Sequence, residues 1–172
     1  LKEAKICLSE NCSERMTKEI SLLVIHNISL PPGEFGGGYI EKLFTNSLDP
    51  NDHPYFSEIY DLKVSSHLLI QRDGSLIQFV PFNKKAWHAG VSSFKGRENC
   101  NEFSIGIELE GTDDNKYTED QYRALIDITK ELMLVFQDIK KENIVGHSDI
   151  APGRKTDPGK AFDWHYYLSN LV

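Results

Sequence analysis

The alternation of apolar and polar residues predicts short strands in the first half of the chain. A run rich in branched apolar residues at 20–25 predicts a buried strand that ends at His26. Two further runs, 64–71 and 75–80, flank the pair Asp73-Gly74, which favours a tight turn between strands. We therefore expect these two runs to form an antiparallel hairpin.

The second half of the chain adds another strand and the clearest helix. Residues 103–109 alternate between an apolar face and a face that carries Glu108. A stripe of apolar residues predicts a helix over about 119–136, and Thr118 forms a capping box with Gln121 at its start. Shorter elements are expected at 39–44 (helix), at 144–146 (strand) and from about Asp163 (terminal helix).

These elements predict an α/β fold in which helices flank a mixed central β-sheet. We expect a single domain over 1–172, with 1–20 as an N-terminal extension of weaker pattern. Loops rich in Pro and Gly follow the first strand, at 31–38 and around 49–54. Loops of this length and irregularity often carry function.

Composition narrows the class of protein. The chain has 172 residues, 40% of them hydrophobic, and its apolar runs fall short of the roughly 20 residues that span a bilayer. The 19 Lys and Arg against 26 Asp and Glu give a net charge of −7, which argues against a nucleic-acid-binding face. We expect a monomer that binds neither membranes nor nucleic acid.

The cysteines bear on the cellular compartment. Cys7, Cys12 and Cys100 are odd in number and form no CxxC pair, which suits a reducing compartment better than a disulfide framework. The first 21 residues also lack the apolar block of a secretory signal. These two observations predict a cytoplasmic location.

Histidines are the first candidates for chemistry. Of the six, His26 and His147 follow strand-like runs, where functional residues often lie. Asp157 comes ten residues after His147, across a loop that can fold back on itself. Two imidazoles and one carboxylate, with a fourth position open, are a usual ligand set for catalytic zinc. The residues alone leave this triple as one of several, because six histidines offer many such combinations.

Four segments together resemble the motifs of the N-acetylmuramoyl-L-alanine amidase family of the second type. They are LVIHN at 23–27, KAWHAG at 85–90, SIGIELEG at 104–111 and GHSDIAPGRKTDPG at 146–159. The resemblance follows the family's order over about 22–164. It is strongest to those members that act on 1,6-anhydro-muramyl peptides in peptidoglycan recycling.

The resemblance implies a hydrolase that acts on a linear amide. The bond cut would join the lactyl group of (1,6-anhydro-)N-acetylmuramic acid to the L-alanine of a muropeptide. The implied cofactor is Zn²⁺, held by His26, His147 and Asp157, which would supply hydroxide at neutral pH. Two alternatives are a peptidoglycan-recognition module that binds without cutting, and a periplasmic amidase of broader muropeptide specificity.

The resemblance also implies two catalytic residues. Glu108 would move the proton from the attacking water to the departing amine, and Lys155 would stabilise the negative charge of the tetrahedral intermediate. Without the resemblance, Glu110 is an equal candidate for the base, since it shares a strand face with Glu108. Arg154 is likewise the rival cation.

A substrate with an anionic peptide calls for donor groups along the cleft. Asn27, Lys63 and Arg97 are candidates for these contacts by their position relative to the motifs. The resemblance implies that Trp87 and His88 lie near the cleft as well, where His88 would either contact substrate or pack against and orient a loop.

Overall fold

The computed structural model describes residues 4–171, and ten strands form its sheets. They are β1 (Lys5–Ile6), β2 (Cys12–Glu14), β3 (Leu22–Ile28), β4 (Leu68–Ile70), β5 (Leu76–Gln78), β6 (Lys84–Ala86), β7 (Ser93–Phe94), β8 (Arg97–Glu98), β9 (Ser104–Glu110) and β10 (Ile144–Gly146). Six of these strands make the central sheet, in the order β1-β5-β4-β9-β3-β10. Strands β4, β9, β3 and β10 are parallel, whereas β5 runs antiparallel to β4. The predicted mixed sheet and hairpin are confirmed.

Four α-helices accompany the sheet within the described residues. They are α1 (Tyr39–Phe44), α2 (Glu119–Val135), α3 (His147–Ile150) and α4 (Trp164–Ser169). The predicted capping box between Thr118 and Gln121 is present at the start of α2. None of the helices between residues 4 and 171 has the length and apolar character needed to cross a membrane.

The apolar face of β9 packs in the main core against α2. Ile105, Ile107 and Leu109 of β9 join buried α2 residues such as Leu125 and Leu132 in one cluster. All seven residues of β9 are buried, so the opposite face, which carries Glu108, is also covered. Both carboxylates of this strand are therefore shielded from bulk water.

Some predicted boundaries are wrong. The first strand does not end at His26: it continues to Ile28, because Asn27 and Ile28 still pair with β9. The hairpin strands are shorter than the runs 64–71 and 75–80, and Ser65 hydrogen-bonds to Trp87 instead of extending the ladder. His147 does not begin a loop but is the first residue of the short helix α3.

Residues 4–20, the described part of the N-terminal extension, are integrated into the fold. Strand β1 lies at the edge of the central sheet beside β5, and β2 pairs with β6. The guanidinium of Arg15 donates hydrogen bonds to four main-chain carbonyl oxygens, those of Phe82, Asn101, Glu102 and Ser104. This side chain therefore fastens the extension to the start of β9.

Candidate active site

Strand register brings the predicted site residues together. His26 of β3 pairs directly with Glu108 of the adjacent parallel strand β9, so the two side chains lie side by side on one face. On the other side of β3, Gly146 of β10 pairs with Ile25. The next residue, His147, is consequently level with His26.

Three potential metal ligands form a compact triangle. His26 Nδ1 lies 3.0 Å from His147 Nδ1, and each of these nitrogens lies 3.1 Å from Asp157 Oδ2. Both histidines are buried and Asp157 is mostly so, and the three residues form a group that could hold a metal ion. Sides of this length suit an ion bound about 2.0–2.1 Å from each ligand atom.

The electrostatics of the triangle favour, at His26 and Asp157, the protonation states that metal binding needs. Burial lowers the pKa of His26 to about 4, so this imidazole is neutral at neutral pH. Burial alone would raise the pKa of Asp157, but its close contacts with the His147 and His26 imidazoles outweigh burial and lower that pKa. Neutral imidazoles and an ionised carboxylate are the forms that bind cations.

Glu108 stands next to the triangle with an unusual environment. Its carboxylate is buried, and its Oε2 atom has no hydrogen-bond partner in the described chain. Burial, assisted by the charge of Asp157, raises the pKa of Glu108 well above its ordinary value, while Lys155 opposes the shift. A buried carboxyl with a raised pKa and a free oxygen suits proton transfer.

Glu110, the rival base, has a structural role. Its Oε1 accepts a hydrogen bond from the main-chain N–H of Gly36 at 2.5 Å, and its Oε2 accepts one from Arg72 at 3.3 Å. Both oxygens are thus committed to holding the 31–38 loop and the hairpin turn. This geometry favours Glu108 as the base.

The two neighbouring cations, Arg154 and Lys155, have different environments. Lys155 lines the same cleft as Glu108 and Asp157, and its positive charge lowers the pKa of Glu108 and of His26. Arg154 instead donates hydrogen bonds to the carbonyl oxygens of Ala89 and Val91, at 2.6 and 2.7 Å. Arg154 therefore ties two loops together, and Lys155 is the cation available to a ligand.

Asn27 holds the loop that carries Asp157. Its amide nitrogen donates to Asp113 Oδ1 at 2.8 Å and to the carbonyl oxygen of Pro158 at 3.2 Å. The hydroxyl of Tyr117 donates to the same Pro158 oxygen at 2.8 Å. Since both amide hydrogens of Asn27 are used, only its oxygen is available to a ligand in the cleft.

The other predicted substrate contacts divide into two groups. Trp87 and His88 line the cleft, although Trp87 Nε1 already donates to Ser13 Oγ at 3.2 Å. Lys63 is exposed and lies outside the cleft lining. Arg97 also lies outside the cleft lining: its guanidinium pairs with Glu19 at 2.7 Å and stacks on Phe103, lining a separate hollow. Substrate contact by Lys63 and Arg97 stays a prediction.

The cleft also has an apolar wall that sequence reasoning missed. Its volume is about 390 Å³, within the range of roughly 300–1,000 Å³ that accommodates small ligands. Apolar and aromatic side chains line the side formed by the segment after α1: Tyr55, Ile59, Leu62 and Val64. Leu62 is 45% exposed at this wall. The signal available in the sequence was the recurrence of apolar and aromatic residues at 55–64, within a long loop region.

Comparison with known proteins defines the class to which this fold and site belong. The family model for N-acetylmuramoyl-L-alanine amidase matches residues 16–160. The chain belongs to the N-acetylmuramoyl-L-alanine amidase family and is an amidase, as its four motif segments predicted.

Particular relatives are close. The 1,6-anhydro-N-acetylmuramyl-L-alanine amidase AmpD of Escherichia coli (strain K12) is 62% identical over 144 residues, which cover 84% of this chain and 78% of AmpD. A crystal structure of selenomethionine AmpD superposes with a TM-score of 0.97 at 54% identity, covering 100% of this chain and 96% of that one. These similarities confirm the predicted resemblance to amidases that act on anhydro-muramyl compounds.

A more distant structure contains a substrate. The amidase AmiD from E. coli, in complex with anhydro-N-acetylmuramic acid-L-Ala-D-γ-Glu-L-Lys, has a TM-score of 0.65 and 31% identity to this chain. The match covers 89% of this chain and 58% of AmiD.

Proposed function

We propose that this protein is a zinc-dependent amidase that releases the peptide from 1,6-anhydro-N-acetylmuramyl peptides during peptidoglycan recycling. The observation that carries the proposal is the triangle of His26, His147 and Asp157, with Glu108 beside it in one cleft. Glu108 Oε2 has no hydrogen-bond partner among residues 4–171. Two relatives support anhydro-muramyl peptides as the substrate class: AmpD is a 1,6-anhydro-N-acetylmuramyl-L-alanine amidase, and AmiD is seen in complex with an anhydro-N-acetylmuramic acid peptide.

The donor set fits zinc better than the hard divalent cations. Two imidazole nitrogens and one carboxylate oxygen match a catalytic zinc site with an open fourth position, whereas calcium and magnesium prefer six or more oxygen ligands. The free Glu108 oxygen fits as well, because a buried carboxylate costs free energy unless something hydrogen-bonds to it. A water molecule at the open position would be such a partner.

The chain's own residues divide the reaction into distinct tasks. Zinc, when bound, lowers the pKa of water and polarises the amide carbonyl. Glu108 accepts the proton of the attacking water and then delivers it to the nitrogen of the departing L-alanine. Lys155 places a positive charge near the carbonyl oxygen as it becomes negative.

The rest of the cleft suits an amphiphilic muropeptide. The apolar wall of Tyr55, Ile59 and Leu62 can cover the less polar faces of the sugar, while Lys155 attracts carboxylates of the peptide. We also propose a cytoplasmic location, on the basis of the three cysteines discussed above.

Two substitutions test the division between metal binding and proton transfer. Replacing Asp157 with Ala removes one ligand and is expected to abolish stoichiometric zinc binding and activity together. Glu108→Gln keeps the three ligands, so zinc is expected to stay bound while turnover falls about 10²- to 10⁴-fold. The first readout is the zinc content, measured by inductively coupled plasma mass spectrometry. The second is the initial rate of hydrolysis of an anhydro-muramyl peptide.

Either of two results would contradict the proposal. Wild-type protein that binds no stoichiometric zinc would contradict the proposed zinc dependence. Loss of zinc from Glu108→Gln would show that Glu108 is a ligand and not the base.

A further inference from the structure

The segment His88–Ala89 contacts the far side of both potential metal-binding histidines. His26 Nε2 lies 2.9 Å from His88 Nδ1, on the ring edge opposite the triangle. His147 Nε2 lies 3.1 Å from the carbonyl oxygen of Ala89. Two consecutive residues therefore supply one hydrogen-bond partner to each histidine.

The Ala89 carbonyl fixes which ring nitrogen of His147 carries the proton, and the His88 contact is compatible with the same arrangement at His26. A carbonyl oxygen only accepts, so the Ala89 contact requires a proton on His147 Nε2 and leaves the Nδ1 lone pair free. His88 Nδ1 accepts from His26 when the His88 proton is on Nε2, which lies 3.1 Å from Ser104 Oγ. In that arrangement the proton of His26 is on Nε2, and the lone pair of His26 Nδ1 faces the triangle.

The fold makes specific room for the His88 ring. It lies against β9 at Gly106, where an added Cβ would come within 2.5 Å of the ring atoms. Ser104 and Gly106, two small residues on the same face of the strand, thus create the space that brings His88 to His26.

Two side chains, Asn101 and Arg154, hold this segment in position. Asn101 Oδ1 accepts hydrogen bonds from the main-chain N–H groups of both His88 and Ala89, at 3.2 and 2.8 Å. Arg154 adds a bond to the Ala89 oxygen from the other side. The segment is therefore fixed independently of its contacts with the two histidines.

We propose that His88 is a positioning residue for the metal, acting through His26, and that the Ala89 carbonyl, held by Asn101, has the same task for His147. The inference rests on the proposed zinc-dependent function. It gives His88 a role in orienting a ligand in place of the predicted role in contacting substrate. Outer partners of this kind typically change metal affinity about 10- to 100-fold.

The test measures the zinc dissociation constant by competition with a chromogenic chelator. His88→Ala removes the acceptor and is expected to weaken zinc binding about 10- to 100-fold. His88→Asn places an amide oxygen near the position of Nδ1 and is expected to recover part of that loss. His165→Ala, an exposed histidine on α4, is the matched control and should bind zinc as the wild type does.

A second variant covers the case in which His88→Ala does not fold. Asn101→Ala leaves every imidazole in place and is still expected to weaken zinc binding, because the segment loses two hydrogen bonds. Circular dichroism melting of the metal-free proteins separates loss of fold from loss of affinity.

The outcomes distinguish this inference from the proposed function. A wild-type protein that fails to bind zinc contradicts the proposed function itself. A wild type that binds zinc, with folded His88→Ala and Asn101→Ala variants of equal affinity, overturns the positioning role alone. Equal losses in His88→Ala and His88→Asn would also contradict it, since the acceptor would then have no effect.

Discussion

At the scale of single residues, Glu108 combines the catalytic task proposed for it with a cost to stability. Its carboxyl group is buried beside the Asp157 carboxylate, and burial together with that charge raises its pKa. A group whose pKa is higher in the folded than in the unfolded state binds protons more strongly when folded. The folded state therefore loses stability as the pH rises from the unfolded pKa to the folded one.

This asymmetry gives a prediction for the metal-free protein. Below the unfolded pKa of about 4.3, Glu108 is protonated in both states, and Glu108→Gln should change stability little. As the pH rises, the variant should become progressively more stable than the wild type, by about 1.4 kcal/mol for each unit of pKa difference, and then level off. Urea unfolding of both proteins across the pH range measures this difference, and a pH-independent difference would contradict it.

Sequence patterns identify Glu108 and Glu110 as candidate bases but do not distinguish between them. Alternation along β9 places Glu108 and Glu110 on one face, so the strand pattern alone treats them equally. They differ because Gly36 and Arg72, distant in sequence, occupy the oxygens of Glu110. The resemblance to the family favours Glu108 as the base, a distinction that periodicity does not make.

At the scale of elements, strand and helix periodicity predicted most of the sheet and α2, but not the pairing of the N-terminal extension. Arg15 holds this extension through hydrogen bonds to residues near position 82 and in the 101–104 segment. No local pattern reveals such contacts, because they depend on tertiary structure. Burial lowers the pKa of Arg15 to about 10, so the side chain still carries its charge at neutral pH.

We expect Arg15→Met to destabilise the protein by about 3 kcal/mol, since it leaves several carbonyl oxygens without a charged donor. Arg123→Met is the matched control, because Arg123 is exposed on α2 and pairs only with Asp120 in the same helix. That change should cost less than about 0.5 kcal/mol. Chemical unfolding measures both values, and similar losses for the two variants would refute the role assigned to Arg15.

At the scale of the whole molecule, the site arises where parallel strands bring distant segments level with one another. His26, Glu108 and His147 come from β3, β9 and the end of β10, three neighbouring strands of the sheet. The loop of Asp157 closes the group from outside, anchored through Pro158 by Asn27 and Tyr117. The order of the strands, which sequence periodicity does not specify, is what converts separate motifs into one site.

We propose that this cleft cuts the bond between a muramyl lactyl group and L-alanine. Mass spectrometry of the reaction products tests this cleavage. Purified, zinc-loaded protein is incubated with an anhydro-N-acetylmuramyl tripeptide, and the Asp157→Ala variant is the control. We predict that the wild type alone releases the free tripeptide and the intact anhydro sugar. Unchanged substrate in the presence of stoichiometric zinc, or cleavage at another bond, would contradict the account.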